Sequence, residues 1–92
     1  MTLQVPRVHR PIDFFMLTTE PEMSDQDKRR IGKIYEQKEW RALVRAKSGS
    51  WYAVANAPSE TAAVEAALKS CTQSDRDCHL HAIGNFRVAD EQ

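Results

Sequence analysis

Glycine is scarce in this 92-residue chain, with three in all, at positions 32, 49 and 84. That scarcity excludes the glycine-rich loops that bring backbone N–H groups onto a phosphate, and no G-x-S-x-G or H-E-x-x-H string occurs anywhere in the chain. Long apolar runs are missing too: none approaches the ~18 residues of a membrane-spanning helix. An excess of charge of one sign is missing, since thirteen Lys/Arg face thirteen Asp/Glu. A neutral chain lacks the basic footprint of a nucleic-acid binder, and that class is set aside. A secretory leader is not evident. Arg7 and Arg10 imitate its charged start, but the apolar stretch from Ile12 to Leu17 is too short and contains Asp13. The missing leader has two readings, a cytoplasmic protein or part of a longer exported one.

What is present points to one small domain. Apolar residues make up 41% of the chain and charged residues 28%, ordinary for a globular protein but near the lower size limit for stability by burial alone. Residues 1–47 carry ten basic and seven acidic side chains and residues 48–92 three and six, with the signs interspersed as on a solvated surface. Residues 1–22 hold Pro6, Pro11 and Pro21 and read as an extended, mostly irregular arm, followed by a single domain over 23–90. Within the arm Phe14, Phe15 and Leu17 are too apolar for a free tail. They either pack across the domain as an edge segment or form an exposed contact patch for a partner.

The strongest local signal is the stretch after Pro58. Ser59 can cap a helix, Glu60 suits its first turn, and Val64, Ala67, Leu68 and Cys71 fall at i, i+3, i+4 and i+7. Ala62, Ala63, Ala66 and Ala67 raise helix propensity and allow close approach to a sheet. The spacing predicts a helix over 59–71 laid on strands. An earlier helix is expected over 23–39, with Ser24 and Asp27 as a capping pair and Ile31, Ile34 and Tyr35 as its apolar stripe. Arg29, Arg30 and Lys33 form a basic edge on it beside Asp25, Asp27 and Glu36, a solvated face rather than an anion site.

From Trp40 the period becomes two. Trp40, Ala42, Val44 and Ala46, then Trp51, Ala53 and Ala55, predict a hairpin closed by a two-residue Ser48–Gly49 loop, which would pair Ala46 with Trp51 and Val44 with Ala53. The opposite face would carry Arg45 beside Tyr52, a candidate contact surface with a cation–π pair. After the polar loop 72–77, residues 78–83 read as a strand, Gly84–Asn85 as a turn and 86–88 as a last short strand, with 89–92 frayed. The fold class expected is α+β: an N-terminal helix, then β-β-α-β-β, with one helix packed on a small antiparallel sheet.

Cys71 closes the buried stripe of the later helix and Cys78 opens the strand after it. A six-residue connection turning from helix to strand can bring two such positions within disulfide distance; two reduced, buried thiols are the alternative. Their separation lacks the C-x-x-C pairing that structural zinc prefers.

The string Ile34-Tyr35, Trp40-Arg41-Ala42-Leu43-Val44, Ala66-Ala67-Leu68, Cys71 and Cys78-His79-Leu80-His81-Ala82-Ile83 resembles a small uncharacterised module found largely in exported proteobacterial proteins, often as the C-terminal part of a larger chain. The resemblance covers residues 31–88 and leaves the arm outside. It implies an α+β fold, a disulfide between Cys71 and Cys78 and a periplasmic or secreted location. It carries no catalytic residue, because the module has no assigned activity.

His79 and His81 are the residues most like chemistry. At i and i+2 on a strand they share a face, as a metal or acid/base site would require, but no third ligand stands at a motif spacing; His9 or Glu39 could join only through the fold. Two histidines on the polar side of a half-buried strand is the simpler account of them and the one favoured. The functional expectation is therefore a non-catalytic binding or accessory module of an exported bacterial protein, with Arg45, Tyr52, Phe14 and Phe15 as contact residues and no cofactor. Its partner would be another protein, a parent domain or a second copy of itself. The alternative is a metal-dependent or acid/base enzyme built on His79 and His81.

Overall fold

The computed structural model describes residues 11–88. The elements run β1 (Pro11–Phe14), a single 3-10 turn (Leu17–Thr19), α1 (Asp25–Tyr35), β2 (Ala42–Arg45), β3 (Trp51–Val54), α2 (Glu60–Thr72), β4 (His79–Ile83) and β5 (Phe86–Val88). The class is α+β as expected, but the opening element is not a helix. The arm contributes a strand and the 3-10 turn before α1, so the expected order is corrected at its start. The arm residues 1–10, with His9, Arg7 and Arg10, and the tail 89–92 lie outside the described residues.

Both helices begin where their capping residues dictate. Ser24 Oγ accepts from Asp27 N at 3.1 Å, and Ser59 Oγ accepts from Ala62 N at 3.1 Å, each satisfying one of the first-turn N–H groups that a helix cannot satisfy internally. Helix α1 ends at Tyr35 rather than at 39. The following chain is drawn out of helical geometry by a pair of bonds to the β3–α2 connection, Lys38 N donating to Asn56 Oδ1 (3.2 Å) and Asn56 N donating to Lys38 O (2.9 Å).

The five strands form one antiparallel sheet in the order β1-β5-β4-β2-β3. Helix α2 lies across β2, β3 and β4, and α1 packs on β3 from the other side. Strand β2 is consequently buried on both faces. On the α2 face Ala42, Val44, Ala46, Leu80, Ile83 and Val88 meet Ala63, Val64, Ala67 and Cys71; the alanines let helix and sheet approach closely. On the α1 face Leu43, Trp51 and Ala82 meet Phe15, Met23, Ile31 and Tyr35. Each buried side chain of Val, Leu or Phe size contributes roughly 1.5–3 kcal/mol by leaving water. Arg30 Nη2, donating to Trp51 O at 3.1 Å, and Lys28 Nζ, donating to Thr18 O at 3.0 Å, tie α1 to β3 and to the 3-10 turn.

The hairpin register differs from the expected one by a single residue. Arg45 stands opposite Trp51, Val44 opposite Tyr52 and Leu43 opposite Ala53. The cause is the loop. Gly49 N donates to Ala46 O (2.9 Å), Ala46 N donates to Ser50 O (2.9 Å), and Gly49 sits at φ 100. This is a three-residue connection, a turn followed by a left-handed glycine, rather than a two-residue loop. Because side chains alternate, the shift sends Trp51 to the α1 face and Tyr52 to the α2 face. Arg45 and Tyr52 therefore stand on opposite sides of the sheet and do not share a contact surface.

The expected cysteine pair is a disulfide. Cys71 and Cys78 are bonded with their Cα atoms 6.2 Å apart, closing the α2–β4 loop and anchoring the start of β4 to the buried end of α2.

Candidate functional site

Polar side chains gather at the end of the sheet where the β2–β3 turn, the disulfide-closed loop and the start of β4 meet. Their placement follows from the ladder between β2 and β4. Ala42 pairs with Ile83 and Leu43 with Ala82, but Val44 pairs with Leu80 and Arg45 with His79. His81 is thus the extra residue of a β-bulge, a device that re-aims a side chain out of strict alternation. Leu80 remains on the α2 face while His81 and Ala82 both turn to the α1 face. There the His81 ring stands edge-on to Trp51 (4.9 Å between ring centroids) and to Phe15 (5.8 Å).

His81 Nε2 lies 3.2 Å from Glu20 Oε1. Glu20, only 6% exposed, is the one buried charged residue among those described. A carboxylate so enclosed needs a partner, and an imidazole N–H donating to it supplies one. Beside this pair the Arg45 guanidinium lies over the Trp51 ring at 4.8 Å and is ion-paired through Nη1 to the Glu22 carboxylate. Arg45 and His79 are direct cross-strand neighbours, and with Ala46, Lys47, Leu80 and His81 they line an open cleft of about 390 Å³. A second depression of about 500 Å³ adjoins it at Lys47, lined also by Ser48, Ser74, Asp75, Arg76 and Asp77. At the neighbouring loop Tyr52 OH donates to Asp75 Oδ2 at 2.8 Å. That bond is the main reason the tyrosine's pKa is raised and the aspartate's lowered, since it holds the proton on the phenol and favours the carboxylate.

At the other end of β2, Arg41 lies over the Tyr35 ring at 4.8 Å, donates to Tyr35 O (2.7 Å) and Glu39 Oε2 (2.7 Å), and reaches Asn85 Oδ1 (3.3 Å). Glu39 is committed to this cluster, beyond the opposite end of β2 from His79 and His81. Burial pushes the Tyr35 phenol well above its ordinary range, Arg41 pulling the other way and Glu39 adding to the rise.

Of the residues singled out in the sequence, His79 and His81 share one cleft and Arg45 joins them there. Tyr52 is on the far side of the sheet. Phe14 and Phe15 also diverge: Phe15 is buried on the α1 face, whereas Phe14 is 71% exposed and stacks on Phe86, 45% exposed, at 5.2 Å between centroids. Glu20 and Glu22 were not foreseen. Glu20 meets its histidine across 61 positions of sequence, and no local pattern in a proline-bearing arm marks a carboxylate for burial. Among the described residues, no group of three or more His, Cys, Asp or Glu side chains is arranged to hold a metal ion, and no helix is long and apolar enough to cross a membrane.

Compared with protein-family models, with curated proteins and with solved structures, the chain matches none.

Proposed function

We propose that this chain is a non-catalytic binding module of an exported bacterial protein, and that it takes an extended, apolar segment of a partner polypeptide along the outer edge of β1. The observation carrying the reading is the bare end of the sheet. Among the described residues the helices pack on β2, β3 and β4, and of the β1–β5 ribbon only Val88 reaches the α2-face core; at the ribbon's other end Phe14 and Phe86 stack in solvent. A two-stranded ribbon is marginal by itself, and an exposed edge offers a row of backbone donors and acceptors to another strand. An added strand would continue the sheet, and the ring pair would receive one of its alternate side chains. The disulfide agrees with an oxidising compartment, as does the resemblance to exported modules.

The test is selection from a displayed library of short peptides, with Phe14→Ser/Phe86→Ser as the counter-selected variant. Enriched peptides should alternate apolar residues, fail to bind the variant and slow hydrogen exchange at the amides of 12–14. Peptides bound equally by the variant would sink the reading. Sedimentation of the wild type as a dimer and of the variant as a monomer would instead make a second copy the occupant.

The enzyme reading retains one specific support, the Glu20–His81 pair, because a buried carboxylate orienting an imidazole is half of an acid/base dyad. Elemental analysis tests its metal form: stoichiometric zinc or copper lost in His79→Ala/His81→Ala would favour it.

A further inference from the structure

We infer that the cleft between the end of β2 and the start of β4 binds small oxyanions, a phosphate or carboxylate group held by Arg45, Lys47 and His79. This site is separate from the β1–β5 ribbon and stands whether or not the ribbon binds peptide. Three observations carry it. First, the ladder sets Arg45 and His79 directly opposite each other, an arrangement of two groups able to carry positive charge that favours an anion between or above them. Lys47 completes the rim of the same cleft.

Second, the carboxylate partner of the Arg45 guanidinium is exchangeable. The guanidinium face rests on Trp51, and its Nη1 is engaged by Glu22. The Arg45 side chain is 33% exposed and that of Glu22 59%. Glu22 is thus a carboxylate of the chain itself, seated on the cation from the solvent side, where exposed ion pairs are weak and exchangeable. It marks the position an incoming oxyanion would take. Third, the other acidic neighbour is sequestered. Glu20 is buried against His81, so its charge is met by the imidazole below the rim. Among the described residues, Asp75 and Asp77 line the adjoining depression, with Asp75 held by Tyr52.

The floor limits the ligand. Trp51 is 1% exposed and presents no ring for a base or an aromatic group to stack on, so recognition rests on the charged group.

The experiment follows backbone amides of the intact, oxidised chain by NMR during titration with inorganic phosphate and, in a separate arm, with acetate, ionic strength being held constant with chloride. Saturable shifts confined to 45–47 and 79–81 are expected. Arg45→Gln should weaken binding about tenfold, the loss of one charge-assisted contact. Glu22→Gln should tighten it by about threefold or more, because the internal competitor is gone. Glu65→Gln makes the same change of charge on exposed α2 surface and should leave affinity unchanged. Saturation by phosphate alone or by acetate alone identifies the group preferred. Saturation by neither, or equal tightening by Glu65→Gln and Glu22→Gln, overturns the inference, the latter reducing it to general charge. Glu22→Gln keeps the test decisive if Arg45→Gln fails to fold.

Discussion

The Tyr35 hydroxyl is buried without a hydrogen-bond partner, a desolvated polar atom that costs free energy in the folded state. Tyr35→Phe should therefore be neutral or stabilising by up to about 1 kcal/mol in urea denaturation, where most core changes destabilise. The same burial raises the folded pKa above the ordinary value of 10.0. Below that value both states hold the proton and stability is unaffected. Above it the unfolded chain loses the proton first, so stability falls with rising pH until the folded phenol also ionises. Tyr35→Phe should flatten this alkaline decline in a series of denaturant midpoints, and an unchanged slope would mean another group causes it. Gly84 makes the opposite case. It sits at φ 59, and a Cβ there would lie 3.1 Å from Glu39 Oε2, so Gly84→Ala should cost about 1–2 kcal/mol through the left-handed backbone alone. At this scale the sequence was legible where chemistry is local, as with Ser24 and Ser59, and silent where it is not. Glu20 and His81 meet only because a bulge and a distant turn bring them together.

Among elements, the hairpin shows how little separates a correct strand from a wrong face. The alternation from Trp40 located both strands, but a left-handed glycine at 49 shortened the pairing by one residue and exchanged the neighbours of Arg45. Loop type is set by a few dihedral preferences, weak beside the burial that then fixes the register. The α2–β4 connection was legible because a helix stripe and a strand start each end in cysteine. Cys71→Ala/Cys78→Ala should lower unfolding free energy by about 2–3 kcal/mol. The denatured protein prepared without reductant should show no reactive thiol, and two titratable thiols would contradict the bond. The variant should also loosen the cleft, since His79 follows Cys78 directly.

In the whole molecule two helices cover opposite faces of one sheet at β2, β3 and β4 and, among the described residues, leave Phe14 and Phe86 at its β1–β5 end uncovered. Phe15 and Phe14 are adjacent in sequence yet divided by that architecture. Phe15→Ala should cost about 3–5 kcal/mol as a core truncation, whereas Phe14→Ser should cost about 1 kcal/mol or less as the loss of one exposed stack. Comparable losses from thermal or urea melts would mean that the ribbon is packed rather than free. Strand order was beyond the sequence, because neighbours such as β1 and β5 are chosen by long-range packing that no window of residues encodes. Their pairing sets Pro11 against Val88, so the polypeptide enters and leaves the described fold through adjoining strands. Such a unit spans a gap of only ~5 Å between its connections, and a surface turn of a host protein could open by that width and accept it without disturbing the host's own packing.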